Sequence, residues 1–461
     1  MLDDLFSPAS IAIIGASRDE NKIGNVILRN LVSSGFSGRI YPVNPSYPEI
    51  MDLKCYPSVK DIGDPTTIAV IVLPARVVPQ SVEDCINAGV KFLIIISGGF
   101  AETGPDGEKL SERILSLIRN SGTRLIGPNT VGLYLPYSNI NTTLTSYSRV
   151  SFPPPGNIGF ISQSGALGLL TMDAISEYGI GISAFINLGN RLDVDETEFL
   201  DFFESDSRTG SVAIYMESVA DGRAFYESIR RFNSRKPLVI LKAGRTEQSA
   251  MAASLHTGAM ASNDSIFDGM LFQAGSVRAY DETELIDYAR VLAYSKRMKG
   301  NRIAVLTTAG GVGVISTDYI SDPGSAKPLQ MARLSENTKD QIRKVIVPYG
   351  SAQNPIDLTA DGSVNDYDRV LEILMRDDDV DAVLVYALPQ TPKMDMGVVD
   401  VVEKHMKTGK PIVVGVLGYK IAKQLLVEFE RRKIPAFPSV HRSVKSLCAL
   451  YEYSAFRSVR Q

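Results

Sequence analysis

Three histidines occur in 461 residues, and the neighbours of one set it apart. His256 stands in Ser249-Ala250-Met251-Ala252-Ala253-Ser254-Leu255-His256-Thr257-Gly258-Ala259-Met260-Ala261-Ser262, a run of small residues without strand alternation and with the composition of a movable loop. A neutral imidazole can attack phosphorus when a carboxylate holds its other nitrogen, fixing the tautomer and balancing the charge that develops. Glu217, directly after the apolar run 211–216, is the obvious carboxylate. The phosphoryl oxygens need donors already in place. The amides of Ser164, Gly165 and Ala166, in the turn that begins Ser162-Gln163 and opens a helical pattern, are such donors. A histidine in a Gly/Ala loop is also a common structural residue, and a Glu after a strand a common helix cap, so the residues alone leave both readings open. His405 and His441 lie in amphipathic surroundings that suggest surface positions.

The elements that must position these groups are read from hydrophobic period. From residue 10 to about 132, β-branched runs at 11–14, 40–43, 68–73, 92–96 and 124–126 alternate with helical patterns, the signature of a doubly wound parallel sheet. The polar, proline-rich passage 133–156 has neither period nor a continuous apolar face and reads as a linker. Alternation resumes with strands at 158–162, 182–187, 211–216 and 238–241. In a flavodoxin-like order 2-1-3-4, three of these would lie side by side and bring the 162–165 turn, Glu217 and the His256 loop to one crevice. After a basic hinge at 295–300, a third series begins at 303–306. The expected fold is α/β in three consecutive doubly wound domains, a Rossmann-like domain over 1–132 and two flavodoxin-like domains over 157–296 and 301–461.

A strand running into a tight small-residue turn and a helix recurs at Gly15-Ala16-Ser17, at Ser162 to Gly165, and at Thr307-Thr308-Ala309-Gly310-Gly311. Each leaves helix N-terminal amides free to attract an anion; each is equally explained as a close-packed turn. The first turn lacks G-x-G-x-x-G spacing, and the second strand ends Tyr41-Pro42-Val43-Asn44-Pro45 without the acidic residue that holds a nicotinamide dinucleotide's ribose, so ordinary NAD binding is not expected. Lys22, Arg18 and the Gly15 turn still offer charge and amides to another phosphate-bearing ligand.

Bulk properties narrow the classes. A net charge of -4 and a pI near 5.7 give no sequence-wide attraction to nucleic acid or anionic membrane. Cys55, Cys85 and Cys448 match no zinc or redox spacing and read as reduced thiols, which with the acidic N-terminus and the absence of a long apolar run gives a cytoplasmic expectation. No metal site is expected in the chain.

The stretches 160–166, 215–218 and 254–259, with Gly127-Pro128-Asn129-Thr130, Thr308-Ala309-Gly310-Gly311 and Asn354-Pro355-Ile356-Asp357 in the same order, resemble the α subunit of NDP-forming acyl-CoA synthetases of the ADP-forming acetyl-CoA synthetase type, in the succinyl-CoA synthetase superfamily. The resemblance spans essentially the whole chain. It implies that His256 carries a phosphoryl group, that Glu217 stabilises it, and that two helix N-termini cradle it, at 162–166 and at Ala309, Gly310 and Gly311. It implies coenzyme A binding in the first domain by Gly15, Ser17, Lys22, Gly24, Asn44, Leu73, Pro74, Ala75, Ser97, Gly98 and Gly99. It also implies reversible conversion of acyl-CoA, ADP and phosphate to acid, ATP and coenzyme A. No G-x-x-x-x-G-K-[ST] sequence occurs, so an ATP-grasp β subunit, expected as α2β2, would supply the nucleotide site with its Mg2+. The rival expectations are a non-catalytic coenzyme A sensor of the same fold, a portion of a fused synthetase, and a protein acetyltransferase core.

Overall fold

The computed structural model describes residues 2–251, 263–324 and 329–459. The chain divides into two compact units, one of residues 1–177, 181–236 and 240–274, the other of residues 178–180, 237–239 and 275–461.

The first unit carries two sheets. In the first, β1 (Ser10–Ile14), β2 (Arg39–Val43), β3 (Ile68–Ile71), β4 (Phe92–Ile95) and β5 (Arg124–Ile126) are parallel in the order β2-β1-β3-β4-β5. β1, β3 and β4 are buried at every position, as unbroken apolar runs should be when helices cover both faces. The second sheet contains β6 (Leu133–Leu135), β7 (Ile140–Asn141), β8 (Pro155–Ser162), β9 (Ile182–Asn187), β10 (Ser211–Met216) and β11 (Leu238–Lys242). Among the described residues this sheet has seven strands, and over residues 133–242 their order is β11-β10-β8-β9-β6-β7. Numbered from β8, the parallel strands run 2-1-3-4, and the carboxyl ends of β8, β10 and β11 are neighbours as the sequence predicts.

The passage 133–156 is more than a linker. β6 pairs antiparallel with β9, Leu133 opposite Ile186 and Tyr134 opposite Phe185, and β7 pairs with β6. Both strands are buried. They are too short to announce a period, and the exposed edge of β9 decides their conformation.

In the second unit, β12 (Arg302–Thr307), β13 (Gln330–Met331), β14 (Ile356–Asp357), β15 (Ala382–Ala387), β16 (Ile412–Val416) and β17 (Ala436–Phe437) form a parallel sheet, with β13 and β14 on one edge of β12 and β15-β16-β17 on the other. The 295–300 passage is packed and not a free hinge: Met298 is buried and its N–H donates to Ser454 Oγ at 3.0 Å. His405 is likewise interior and not at the surface. It lies on the inner face of helix Gly397–Met406, with Nε2 2.7 Å from Asp368 Oδ1. His441 is exposed, as expected. All three cysteines are buried free thiols; burial pushes Cys85 and Cys448 up to about 12, which leaves them unreactive.

Helix Glu282–Tyr294 is tied to the rest of the second unit by a buried ionic cluster. Arg290 Nη2 donates to Glu430 Oε2 at 2.6 Å and to the Ala436 carbonyl at 3.1 Å, while Arg442 reaches both oxygens of Asp287 at 2.7 and 2.8 Å. Removing one partner strands the others in low dielectric. Arg290→Met should therefore destabilise the protein by about 3 kcal/mol, read as a fall in the urea midpoint, and adding Glu430→Leu should recover part of that loss.

Candidate active site

At the Gly15 turn, β1 ends in a residue with φ +94 that no side chain could share, because a Cβ there would lie 2.3 Å from the Val72 carbonyl. Helix Ile23–Ser33 then approaches so closely that a Cβ on Gly24 would meet the Gly15 carbonyl at 2.1 Å. Ser17 and Asn44 hold this turn: Ser17 Oγ accepts from the Asp19 amide, and Asn44 Nδ2 donates to the Ala16 carbonyl at 2.7 Å. Lys22 is exposed, its ammonium without a partner among the described residues. Beside the turn, where β1, β2 and β3 end, a cavity of about 360 Å3 is lined by Gly15, Val43, Asn44, Leu73, Val77 and others. A ligand crevice belongs at this switch point in strand order. Gly15, Asn44 and Leu73 line it; Ser17, Lys22, Gly24, Pro74 and Ala75 flank it.

Ser97, Gly98 and Gly99 follow β4 and face a different neighbour. Ser97 Oγ donates to the Leu73 carbonyl, while Gly99, at φ +101, and Phe100 donate their amides to Glu102 Oε1. Asn190 Nδ2 donates to Glu102 Oε2 at 2.5 Å, from the loop after β9. Burial alone would raise the Glu102 carboxyl, but the Asn190 side chain and the amides of Gly99, Glu102 and Phe100 outweigh it and hold the carboxyl below its ordinary value. The same loop rests on Gly127-Pro128-Asn129-Thr130, whose Gly127–Pro128 bond is cis; the Asn190 amide donates to the Pro128 carbonyl at 2.9 Å and Leu192 to Gly127 at 3.0 Å.

Gln163 organises the second turn. Its Oε1 accepts from the amides of Glu217 at 2.7 Å and Ser218 at 3.2 Å, and its Nε2 donates to the Ser218 carbonyl at 2.9 Å. Buried Ser162 donates to the Ser164 carbonyl at 2.6 Å, and Ser164 caps helix Gly165–Ser176 by accepting from Leu167. The amides of Gly165 and Ala166 have no acceptor among the described residues, so this helix start keeps donors available to an anion. Glu217 is buried, and Tyr215 Oη donates to its Oε1 at 3.2 Å. The turn and the carboxylate thus converge. His256 lies outside the described residues.

In the second unit, helix Gly310–Ser321 starts with Ala309 at its N-cap and no side-chain cap, and the amides of Gly310 and Gly311 likewise have no acceptor among the described residues. Asp357 adjoins it, with Oδ2 2.9 Å from where a Gly310 Cβ would stand. Among the described residues no cluster of three His, Cys, Asp or Glu could hold a metal, and no helix is long and apolar enough to cross a membrane.

The residues that brace this site are absent from the expectations. Glu102, Asn190, Arg191 and Glu196 carry no spacing motif; the one local signal is the polar turn Gly189-Asn190-Arg191 between an apolar strand and the acidic helix start Asp195-Glu196.

Comparison with known proteins adds three family models in chain order: a CoA binding domain over 9–136, a succinyl-CoA ligase-like flavodoxin domain over 155–292, and a ligase-CoA domain over 303–459. The α subunit of acetate–CoA ligase (ADP-forming) I from Pyrococcus furiosus is 36% identical over 99% of this chain and 98% of its own length. Acetate–CoA ligase (ADP-forming) I from Archaeoglobus fulgidus is 35% identical over 98% of this chain, which spans 64% of that longer protein. Among solved structures, the acetyl-coenzyme A synthetase 1 of Ca. Korarchaeum cryptofilum in complex with phosphate and ADP superposes with a TM-score of 0.90 at 37% identity, covering 99% of this chain and 98% of that one.

Because the folded-state Glu102 carboxyl titrates below its ordinary 4.5, its contribution to stability is complete above that value and is lost as pH falls through the lowered one. Glu102→Gln should cost about 1–2 kcal/mol at pH 7, and in unfolding curves the gap to the wild type should narrow as the pH falls through the lowered carboxyl value.

Proposed function

The chain belongs to the family of ADP-forming acetate–CoA ligase α subunits, and on that premise we propose that it performs the acyl-transfer and phosphohistidine half-reactions of an acyl-CoA synthetase whose nucleotide site lies on a separate ATP-grasp chain. The observation that carries this reading is the Gln163 clamp, which puts a buried carboxylate and a helix N-terminus with open amides at neighbouring strand ends.

Coenzyme A enters as a substrate at the cleft beside the Gly15 turn, where turn amides and Lys22 suit its phosphates and Leu73 and Val77 offer apolar surface to its slender arm. Its thioester end is assigned to the Ser97 to Gly99 turn. A phosphate oxygen attacks the thioester carbon; the carbon–sulfur bond breaks, coenzyme A leaves as the thiol, and an acyl phosphate forms. His256 then attacks phosphorus, an N–P bond replaces the acyl O–P bond, and the carboxylic acid departs as its carboxylate. Glu217 accepts the ring's other N–H and balances the positive charge, while the amides of Gly165 and Ala166 take the phosphoryl oxygens. The phosphoryl group passes to ADP at the second seat, Ala309 to Gly311, with Mg2+ arriving with the nucleotide at a site mainly on the β chain. An α2β2 assembly, a cytoplasmic location, and domain limits at 1–132, 157–296 and 301–461 complete the reading.

Acetyl phosphate should label the purified chain with an acid-labile, base-stable phosphoryl group, and His256→Ala should abolish the label. Glu217→Gln should slow labelling about 100-fold with coenzyme A affinity unchanged. Undiminished labelling of the His256→Ala protein would overturn the assignment. A chain that binds coenzyme A but never labels would be the non-catalytic sensor.

A further inference from the structure

Glu217 is held through its backbone and the residue that follows, and Arg191 provides part of that hold from the loop after β9. Arg191 Nη1 donates to the Ser218 carbonyl at 3.0 Å and Nη2 to Ser218 Oγ at 2.7 Å. Behind it, Nη1 also meets both oxygens of Glu196 at 3.1 and 3.3 Å, with Glu196 only 2% exposed. A guanidinium shared this way has its fork fixed at both ends, and displacement of Ser218 would break several bonds at once.

The loop carrying this group is itself held rigidly. Gly189 has φ +59 and Arg191 φ +52, a left-handed conformation that costs free energy for a residue with a side chain and persists only where the surroundings impose it. A Cβ on Gly189 would lie 2.3 Å from the Pro128 carbonyl, so the loop is pressed onto the 127–130 segment. One residue before Arg191, Asn190 joins the Glu102 carboxylate at the Ser97 to Gly99 turn. Successive residues of one loop thus reach the turn assigned to the thioester and Ser218, the residue that follows the carboxylate.

We infer that Arg191 is a positioning residue for phosphoryl transfer, fixing Glu217 through Ser218 and tying that carboxylate, by way of Asn190 and Glu102, to the acyl-transfer turn. The role assigned to Arg191 is to hold Ser218 and with it Glu217, and it rests on the one proposed for Glu217. Single-turnover labelling of the full chain with acetyl phosphate tests it. Arg191→Met should slow labelling up to about 100-fold and leave coenzyme A affinity within roughly twofold, whereas Arg191→Lys should recover a substantial part of the rate. Ser218→Ala, which removes one acceptor and leaves the Arg191–Glu196 pair, should show a smaller loss in the same direction and serves if Arg191→Met does not fold. Because Arg191 works through Glu217, the Arg191→Met/Glu217→Gln double variant should be no slower than Glu217→Gln alone. Wild-type labelling by Arg191→Met, or a double variant that loses the product of the two single effects, overturns the inference while Glu217 keeps its role. Full-speed labelling by Glu217→Gln overturns the role of Glu217 and that of Arg191 with it.

Discussion

Where β8 and β10 run out, their ladder stops supplying partners to buried peptide groups, and the carboxamide of Gln163 takes over that task. It accepts from two successive amides and donates to a carbonyl of the neighbouring strand end. An unpaired buried peptide group costs about 1–3 kcal/mol, so this side chain cannot be lost without moving the 217–218 segment. The residue that satisfies the backbone thereby fixes the separation between the Glu217 carboxylate and the amides of the following helix. Fold stability and site geometry rest there on the same three bonds.

Asn187 repeats the device one strand over. Its Oδ1 accepts from Thr130 Oγ1 and the Val131 amide, and its Nδ2 donates to the Ser162 carbonyl, so one side chain binds the end of β8 to the segment leaving the first sheet. Arg124 strengthens the same junction through Asp193 and Glu198. The two sheets of the first unit are therefore joined at the carboxyl ends of their strands, where the candidate chemistry lies. Slack between them would alter the distance between the Gly99 and Gln163 turns, and the fully satisfied polar network between those turns resists it.

Much of this frame was legible because parallel strands buried on both faces write themselves as apolar runs, and because glycine and small-residue turns mark where they stop. That pattern gives the strands, and the flavodoxin-like order 2-1-3-4 expected for them brings 162–166 beside Glu217, as the structure shows. The bracing groups were not legible. Arg191 meets Ser218 across 27 residues and Asn190 meets Glu102 across 88, and neither distance leaves a periodic trace. Arg191 also takes a left-handed conformation without the Gly or Asn that would announce it. His405 and the strands β6 and β7 were misread for a related reason: burial on the inner face of a helix or on a sheet edge is decided by distant partners and not by neighbours in sequence.

The three small-residue turns show one structural solution put to different chemical uses. In each, a helix starts close to another part of the chain: a Cβ on Gly24 would meet the Gly15 carbonyl, one on Gly165 the Val131 side chain, and one on Gly310 the Asp357 carboxylate. The amides presented are alike, so what each turn attracts depends on the groups beside them. At the Gly15 turn those groups include the Val72 carbonyl, the apolar side chains of Leu73 and Val77, and the exposed Lys22, whose ammonium has no partner among the described residues. At Ser162 the neighbouring groups are the neutral Gln163 carboxamide, bonded to the Glu217 and Ser218 backbone, and the Glu217 carboxylate, which accepts from Tyr215 Oη. At Gly310 a carboxylate already adjoins the amides and offsets part of their positive potential.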